Sequence, residues 1–387
     1  MSIPLVSQAP ALNYQFNFPR ERRIDKVINS IAALLFRIAA YLTDPICKAH
    51  EFYMRTHVTS KIVSKIAFYV AAVALLLLAL VTTLPGVLFR FAGNRIQRRS
   101  FICWQGKDAK ELPKDKKITI SSWNICCMVA GFAIGENLLP WSFRIDKIIN
   151  DIVAKGADVN CLYETFDTSA AFYITERLKA HGYKHFYFNI GSRALGVSSG
   201  IMIASKYKVE EPEFTVFPKN SLLGPTKFSS KGVFGFTLTS RNKPFARIHA
   251  THLQHSDIAQ QPTSREMDAR KKQMNLIARK VNEYRKKHPQ ICSVVTGDLN
   301  LDDKEFHTLS LGRMYDKGDI LGPETFGGNV SQGTGPLNLD HIMVVKGSVK
   351  SISSFVDHTN HYNPIDFQSA DEAPSDHKLL YTEIELL

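Results

Sequence analysis

Eight polar residues of this chain share one position: Asn124, Glu164, His252, Asp298, Asn300, Asp340, Asp376 and His377 each lie at the end of an apolar run. Asn124 ends ITISSWN and Glu164 ends DVNCLYE. His252 stands in RIHATHL, and Asp298 and Asn300 follow ICSVVTG. Asp340 opens DHIMVV, and Asp376-His377 come just before KLLYTEI. Strand-end loops are where a rigid sheet presents reactive groups.

Hydrolysis of a phosphodiester is the chemistry that suits this set. The charge of the transition state must be neutralised, and Mg²⁺ does this with oxygen ligands, typically one or two carboxylates and several waters. Glu164 and Asn124 supply such oxygens, with Mn²⁺ as an alternative ion. A water must also lose a proton, which a His oriented by an Asp can accept near neutral pH. His377 is the candidate base. Its orienting carboxylate is either Asp376, through a turn, or Asp340, from a neighbouring strand. Asp298 and Asn300, two apart, can align water and phosphoryl oxygens. His252 is placed to assist the leaving alkoxide. Other polar residues have plainer readings. His249 reads as a core histidine, Asp302 and Asp303 as loop charges, Arg270–Lys272 as a solvated helix face, and Lys231 as a strand-edge residue that snorkels.

The elements that must position these groups alternate along residues 118–387. Strands are expected at 118–125, 158–164, 200–204, 232–239, 245–252, 291–297, 339–345 and 378–384, in runs rich in Ile, Val and Phe. Helices are expected at 143–154 and 265–287. The first puts Ile145, Ile148, Ile149, Ile152 and Val153 on one stripe, and the second Met274, Ile277, Ala278, Val281 and Tyr284. Pro289 stops the second. The class is α/β.

Charge divides the 387 residues unevenly. Residues 1–117 hold 18 Lys/Arg and 7 Asp/Glu, a net of +11, whereas 118–387 hold 30 and 29, a net of +1. Phosphate neutralisation dominates nucleic-acid affinity, so a near-neutral catalytic segment argues against a nucleic-acid partner. The basic segment instead carries the apolar stretches, a pairing that suits an anionic membrane surface such as one rich in phosphatidylserine. Residues 66–89 form an uncharged run, about the 20 residues a spanning helix needs, with Pro85-Gly86 breaking it near its end. Residues 27–42 are apolar apart from Arg37 and read as an interfacial or re-entrant helix. Basic flanks on both sides give no orientation, and the pair reads as a hairpin dipping into the membrane or as a single span. No secretory signal peptide is visible. The polar stretch 100–117 marks the boundary between this region and the second segment. None of the six cysteines forms a C-x-x-C pair. Cys161 and Cys292 read as core thiols, and Cys47 and Cys103, near the apolar stretches, as S-acylation candidates.

The ordered set N…E…TH…GDLN…LDH…SDH resembles the endonuclease/exonuclease/phosphatase superfamily across residues 118–387. NCLYETFD, SSGIMIASKY, SSKGVFGFTL with Lys231-Gly232, and ATHLQHS are similar to neutral sphingomyelinases. The apolar pair followed by FAGNRIQRRSFI resembles their membrane-attached, type 2-like members. The resemblance implies a four-layered α/β sandwich of two packed mixed sheets flanked by helices. It implies Mg²⁺-dependent cleavage of bilayer sphingomyelin to ceramide and phosphocholine. By position, Glu164 and Asn124 are expected at the metal and His377 as the base. Asp298 and Asn300 orient phosphate and water, His252 assists the leaving group, Asp340 and Asp376 support the base, and Lys231 contacts substrate. The chain departs from the type 2 pattern in three places. Asn124 and Glu164 are separated by only 40 residues, with no long insertion. Thr226 stands where an Asp would pair with the Lys of the Lys-Gly motif. NLDH replaces RIDY.

Overall fold

In a computed structural model of the chain, the structure describes residues 23–57, 62–97, 100–129, 138–191, 197–309, 311–327, 335–357 and 373–387. Two helices open it, α1 (Arg23–His57) and α2 (Ile62–Ile96), followed by strands β1 (Ile102–Gln105) and β2 (Lys117–Cys127). Next come α3 (Trp141–Lys155), β3 (Val159–Thr165), α4 (Thr168–Lys179), β4 (His185–Phe188), β5 (Met202–Ser205) and β6 (Lys208–Val216). Then follow β7 (Gly232–Ser240), β8 (Lys243–His252), α5 (Ser264–Lys287), β9 (Cys292–Asp298) and α6 (Asp303–Thr308). Five strands complete the chain: β10 (Tyr315–Asp316), β11 (Ile320–Leu321), β12 (Asp340–Val345), β13 (Val349–Val356) and β14 (Leu380–Leu386).

The strands form two mixed sheets, ordered β1-β4-β5-β3-β2-β14-β13-β11 and β10-β12-β9-β8-β7-β6. Each contains a parallel pair at its centre, β2–β3 in the first and β8–β9 in the second. Strand alternation builds the layers. Cys161 and Tyr163 of β3 and Ile248 and Ala250 of β8 fill the space between the sheets, while Leu162 faces outward onto Ile145, Ile148 and Ile152 of α3 and Ile174 of α4. The second sheet's outer face, through Val295 and Met343, packs on Ile277 and Val281 of α5 and Phe306 of α6. The result is the expected sandwich: helices, sheet, sheet, helices.

Both expected helices form, with α5 opened by a capping box in which Thr263 and Glu266 bond reciprocally. All eight expected strands form within a few residues. The sequence reading misses β1, β4, β6, β10, β11 and β13. β6 holds KVEEPEF, half exposed and charged, so no apolar run announces it. The boundary stretch is not a plain linker. β1 precedes residue 117 and pairs with β4, and Lys110 bonds Asp158 at 2.6 Å.

The N-terminal helices pack as an antiparallel hairpin. A Cβ on Gly93 would meet the Phe36 ring and the Ala32 carbonyl, and one on Gly86 would meet Thr43 and the Ala39 carbonyl. Pro85 does not break α2, which continues to Ile96; the side chains of 44–72, Cys47 among them, lie outside the described residues. Leu76–Ile96 is long and apolar enough to cross a membrane by length and composition, and Leu76, Leu77, Val81, Leu84 and Leu88 are exposed. The hairpin also docks on the sandwich. Ala32 and Phe36 join the outer core beside α4, Arg37 lies over the Phe172 ring, and Arg90 donates to Thr168 Oγ1 at 3.3 Å. Cys103 is buried in β1, out of reach of an acyl donor, which overturns that expectation. Cys161 and Cys292 are buried as expected, and burial pushes the Cys292 thiol up to about 12.

Candidate active site

The two sheets bring the polar strand ends to one edge of the sandwich. Asp298 ends β9 and Asp340 opens β12, directly opposite each other in the antiparallel ladder. His252 ends β8 beside Asp298. These three belong to the second sheet. Asn124, Glu164 and His377 arrive from the first sheet, at the ends of β2 and β3 and just before β14. The site is therefore assembled across the gap between sheets.

The distances define a connected cluster. Asp340 Oδ2 and His377 Nδ1 are 2.7 Å apart, a hydrogen bond with the ring N–H donating. The sequence left Asp376 and Asp340 open as the partner of His377; the structure selects Asp340, which reaches across from the opposing sheet rather than from a neighbouring strand. Asp376 lies one residue away, with its carboxylate 3.1 Å from Ser375 Oγ. Asp298 Oδ2 accepts from Asn124 Nδ2 at 3.0 Å, and lies 3.5 Å from His252 Nε2 and 3.8 Å from His377 Nε2. Glu164 Oε1 is 3.9 Å from His252 Nε2. The Asn300 backbone N–H donates to Asp298 Oδ1 at 3.0 Å, and the side-chain Nδ2 of Asn300 has no protein partner among the described residues.

Glu164 and Asn300 have φ of 55° and 50°, left-handed values that asparagine adopts readily but that cost Glu164 of order 1 kcal/mol. Gly200 makes room for Glu164: a Cβ there would lie 3.2 Å from the Glu164 Cα and closer still to Phe166. Gly297 allows β8 and β9 to approach just before Asp298, since a Cβ would overlap the Thr251 carbonyl.

Charge states follow from burial and crowding. Burial first, then the Asp376 carboxylate, push Glu164 up to about 7. Burial pushes Asp340 up to about 6 against the pull of His377. Burial alone would strip His377 of its proton, but Asp340 and Asp298 outweigh it and hold the imidazolium well above the ordinary range. Burial and Lys231 keep His252 neutral, and its Nδ1 has no partner among the described residues. Asp298 stays ionised because His252, His377, Asn124 and Lys231 together overcome its burial.

This concentration of carboxylates fits a divalent cation. Glu164 and Asp376 are only partly buried and crowd each other's charge. Asn124 Oδ1 accepts one hydrogen bond, from Cys126 N at 3.1 Å, and retains a second lone pair. Oxygen donors of this kind suit Mg²⁺. Asp298, Asp340 and His377 are also close enough together to hold an ion. Their spacing favours the hydrogen-bonded reading, because an ion bound there would displace the 2.7 Å bond between His377 and Asp340.

Several plainer expectations are corrected. Lys231 does not snorkel. It is buried and donates from Nζ to the Leu253 carbonyl at 2.5 Å, and burial lowers it to about 8. Thr226 is occupied by Gln254, whose Oε1 it donates to at 2.6 Å. Arg270 is fully buried and grips Glu305 with two hydrogen bonds; only Lys271 and Lys272 face solvent. Asp302 caps α6 and Asp303 pairs with Lys317 at 2.5 Å. His249 is a buried neutral histidine, as expected, though its Nδ1 lacks a partner among the described residues. The sequence reading missed the supports. Ser375 Oγ donates to the Asn124 carbonyl at 2.6 Å. Trp123 Nε1 donates to the His377 carbonyl at 2.9 Å. Thr325 Oγ1 accepts from Asp340 N at 3.0 Å. No spacing rule marks them, because each acts through a backbone group.

Known proteins share this fold. The solved structure of sphingomyelinase C from Streptomyces griseocarneus is 17% identical, with a TM-score of 0.55, covering 69% of this chain and 99% of that one. A doubly substituted beta toxin from Staphylococcus aureus, solved with bound magnesium ions, is 19% identical, with a TM-score of 0.53 and coverage of 69% and 99%. Truncated Caenorhabditis elegans TDP2 is 15% identical, with a TM-score of 0.50 and coverage of 70% and 98%. At these identities the likeness is one of fold. A curated relative, the CCR4-Not complex 3'-5'-exoribonuclease subunit Ccr4 of Aspergillus clavatus, is 31% identical over 100 residues; the match takes in 24% of this chain and 15% of that protein's length. The sequence pattern of the Endonuclease/Exonuclease/phosphatase family matches residues 121–377, from the first site strand to His377 itself. The chain belongs to the endonuclease/exonuclease/phosphatase family, whose members are phosphoesterases.

Proposed function

We propose that the protein is a Mg²⁺-dependent sphingomyelin phosphodiesterase acting at a membrane surface. The observation that carries this reading is the joining of a phosphoesterase site to an apolar helix hairpin, which docks on α4 only a few residues beyond Glu164. A lipid diester is the substrate such a pairing serves. The fold likeness to sphingomyelinase C and the motifs around Glu164 and Lys231 support the same choice.

Glu164 and Asn124, with Asp376 alongside, would hold the ion. When bound, it supplies positive charge for the phosphoryl oxygens and lowers the proton affinity of the nearby His377 and Glu164. The chain's own residues do the rest. His377 Nε2, turned toward Asp298, takes the proton of the attacking water, and Asp340 stabilises the imidazolium that forms. Asp298 accepts from that water and fixes its direction. The free Nδ2 of Asn300 and the neutral Nε2–H of His252 donate to the phosphoryl oxygens. Neutral His252 is a weak proton donor, so its help to the leaving alkoxide is a hydrogen bond. Lys231 spends one of its three N–H donors on the Leu253 carbonyl, and the remaining donors and its positive charge act on substrate.

A second reading is another phosphoesterase of the same family, a nuclease or a phosphoinositide phosphatase, with the nuclease the first to test. The match to Ccr4, described as an exoribonuclease, favours it. The net charge of only +1 over residues 118–387 weighs against it. The test is release of phosphocholine from sphingomyelin vesicles, with and without Mg²⁺, by the wild type and by His377→Ala. Mg²⁺-dependent release that the substitution abolishes is the expected result. No release on any lipid composition, with cleavage of RNA or a phosphoinositide instead, overturns the choice of substrate.

A further inference from the structure

Arg144 is buried to 2% exposure, yet among the described residues no carboxylate pairs with it. Among the described residues its guanidinium donates only to backbone carbonyls. Nε donates to Leu139 O at 2.6 Å and Nη2 to Cys126 O at 2.7 Å. Nη1 donates to Ile125 O at 3.1 Å and also to Pro374 O. A buried guanidinium is costly to desolvate, and carbonyl dipoles alone offset that cost incompletely. Packing gives no reason to retain it on α3, whose other buried residues are mainly apolar.

The acceptors supply a reason. The β2–β14 ladder ends at Ser122 and Leu380. Beyond that point the two chains carry Asn124 on one side and Asp376-His377 on the other, and no ladder joins them. β2 is also irregular there against β3, between Asn124 and Cys127, and Cys126 has φ of 45°. The carbonyl oxygens of Ile125 and Pro374 converge on the same guanidinium nitrogen. Two carbonyl dipoles so arranged repel unless a donor lies between them. Nη1 is that donor. The Trp123 indole and the Ser375 hydroxyl make the two preceding stitches, to the His377 and Asn124 carbonyls.

The geometry points to Arg144 as a positioning residue for the reaction, a strut from the outer helix layer that fixes the metal-side amide Asn124 and the base-side pair Asp376-His377 in one register. This inference rests on the phosphodiesterase reading above. Lysine cannot replace the planar fork, because its three donors radiate from one atom and cannot span carbonyls on three separate segments.

The test uses the full chain in detergent micelles, on sphingomyelin and on bis(4-nitrophenyl) phosphate, a diester with no lipid character. Arg144→Lys and Arg144→Ala are expected to lose about 10²-fold in kcat, the scale of an ångström-sized misplacement of reacting groups, with KM close to wild type on both substrates. Guanidinium chloride at low, non-denaturing concentration is expected to restore about one order of magnitude to Arg144→Ala, where sodium chloride of equal ionic strength does not. A kcat for Arg144→Lys equal to wild type overturns the inference. So does a loss that merely tracks the folded fraction in thermal unfolding and that guanidinium does not rescue. If the wild type cleaves only the small diester, the lipid reading fails while the role of Arg144 is still decided by that substrate. A wild type inert on both overturns both.

Discussion

Replacing Asp340 by Asn tests the central bond of the site. The substitution keeps the size of the side chain and the Thr325 contact, which is made to the Asp340 backbone. It removes the charge from a 2.7 Å hydrogen bond to His377 Nδ1 between two buried groups. A hydrogen bond to a charged group contributes about 1.5–3 kcal/mol. At about 1.4 kcal/mol per pKa unit, that lowers the proton affinity of His377 by about one to two units. Asp340 is the largest influence holding the imidazolium up, so the direction is fixed: the acid limb of kcat/KM moves to lower pH. The plateau falls too, because the imidazolium formed in the transition state has lost its partner, and the same energy corresponds to about 10- to 150-fold. The assay is phosphocholine release at saturating Mg²⁺ across pH 5 to 9, with thermal unfolding as the control for folding. Asp376→Asn is the comparison. Its carboxylate comes behind Asp340 and Asp298 in holding the His377 imidazolium up, so the acid limb should move less. An unchanged acid limb and a plateau within about twofold of wild type for Asp340→Asn would refute the assignment of His377 as the base.

Glu164→Gln should stabilise the metal-free protein at alkaline pH. The folded state raises Glu164 from 4.5 to about 7, so between those values the folded protein binds more protons than the unfolded chain and stability falls as pH rises. With a quarter of the side chain exposed, the gain is of order 1 kcal/mol above pH 7 and vanishes below 4.5; thermal unfolding in EDTA at pH 8 and pH 4 measures it. EDTA should abolish turnover, with Mg²⁺ restoring it and Mn²⁺ substituting; activity that persists in excess chelator counts against a metal at Glu164. Vesicles containing phosphatidylserine should be hydrolysed faster than neutral ones, and the difference should shrink at high salt, because residues 1–117 carry a net +11. Arg270→Met should cost about 3–5 kcal/mol by leaving Glu305 charged and buried, whereas Arg270→Met with Glu305→Leu should recover most of it, as read by urea unfolding.

Much of this was legible from the chain alone. Alternating apolar runs fix the strands that carry Asn124, Glu164, His252 and Asp298, because a strand buried on one or both faces can hardly be written otherwise. The stripe Met274, Ile277 and Val281 fixes α5, and the order of polar strand ends fixes the family. A period is a local property, and residues a few positions apart are enough to show it. The +11 segment and the uncharged run of residues 66–89 were equally plain, being sums over neighbours.

What the sequence could not decide depends on where distant segments meet. Asp376 and Asp340 were equal candidates to orient His377, and only the packing of one sheet on the other brings Asp340 Oδ2 to 2.7 Å. Arg270 and Lys271 are neighbours of like charge, yet one is buried against Glu305 and the other faces solvent, because a helix turns about 100° per residue and α6 covers only one side. Lys231 reads as a flexible surface lysine until β8 places the Leu253 carbonyl over its nitrogen. Cys103 reads as membrane-proximal until β1 joins the sheet and buries it. In each case the residue type sets what chemistry is available, and contacts between segments tens to hundreds of residues apart set which of it is used.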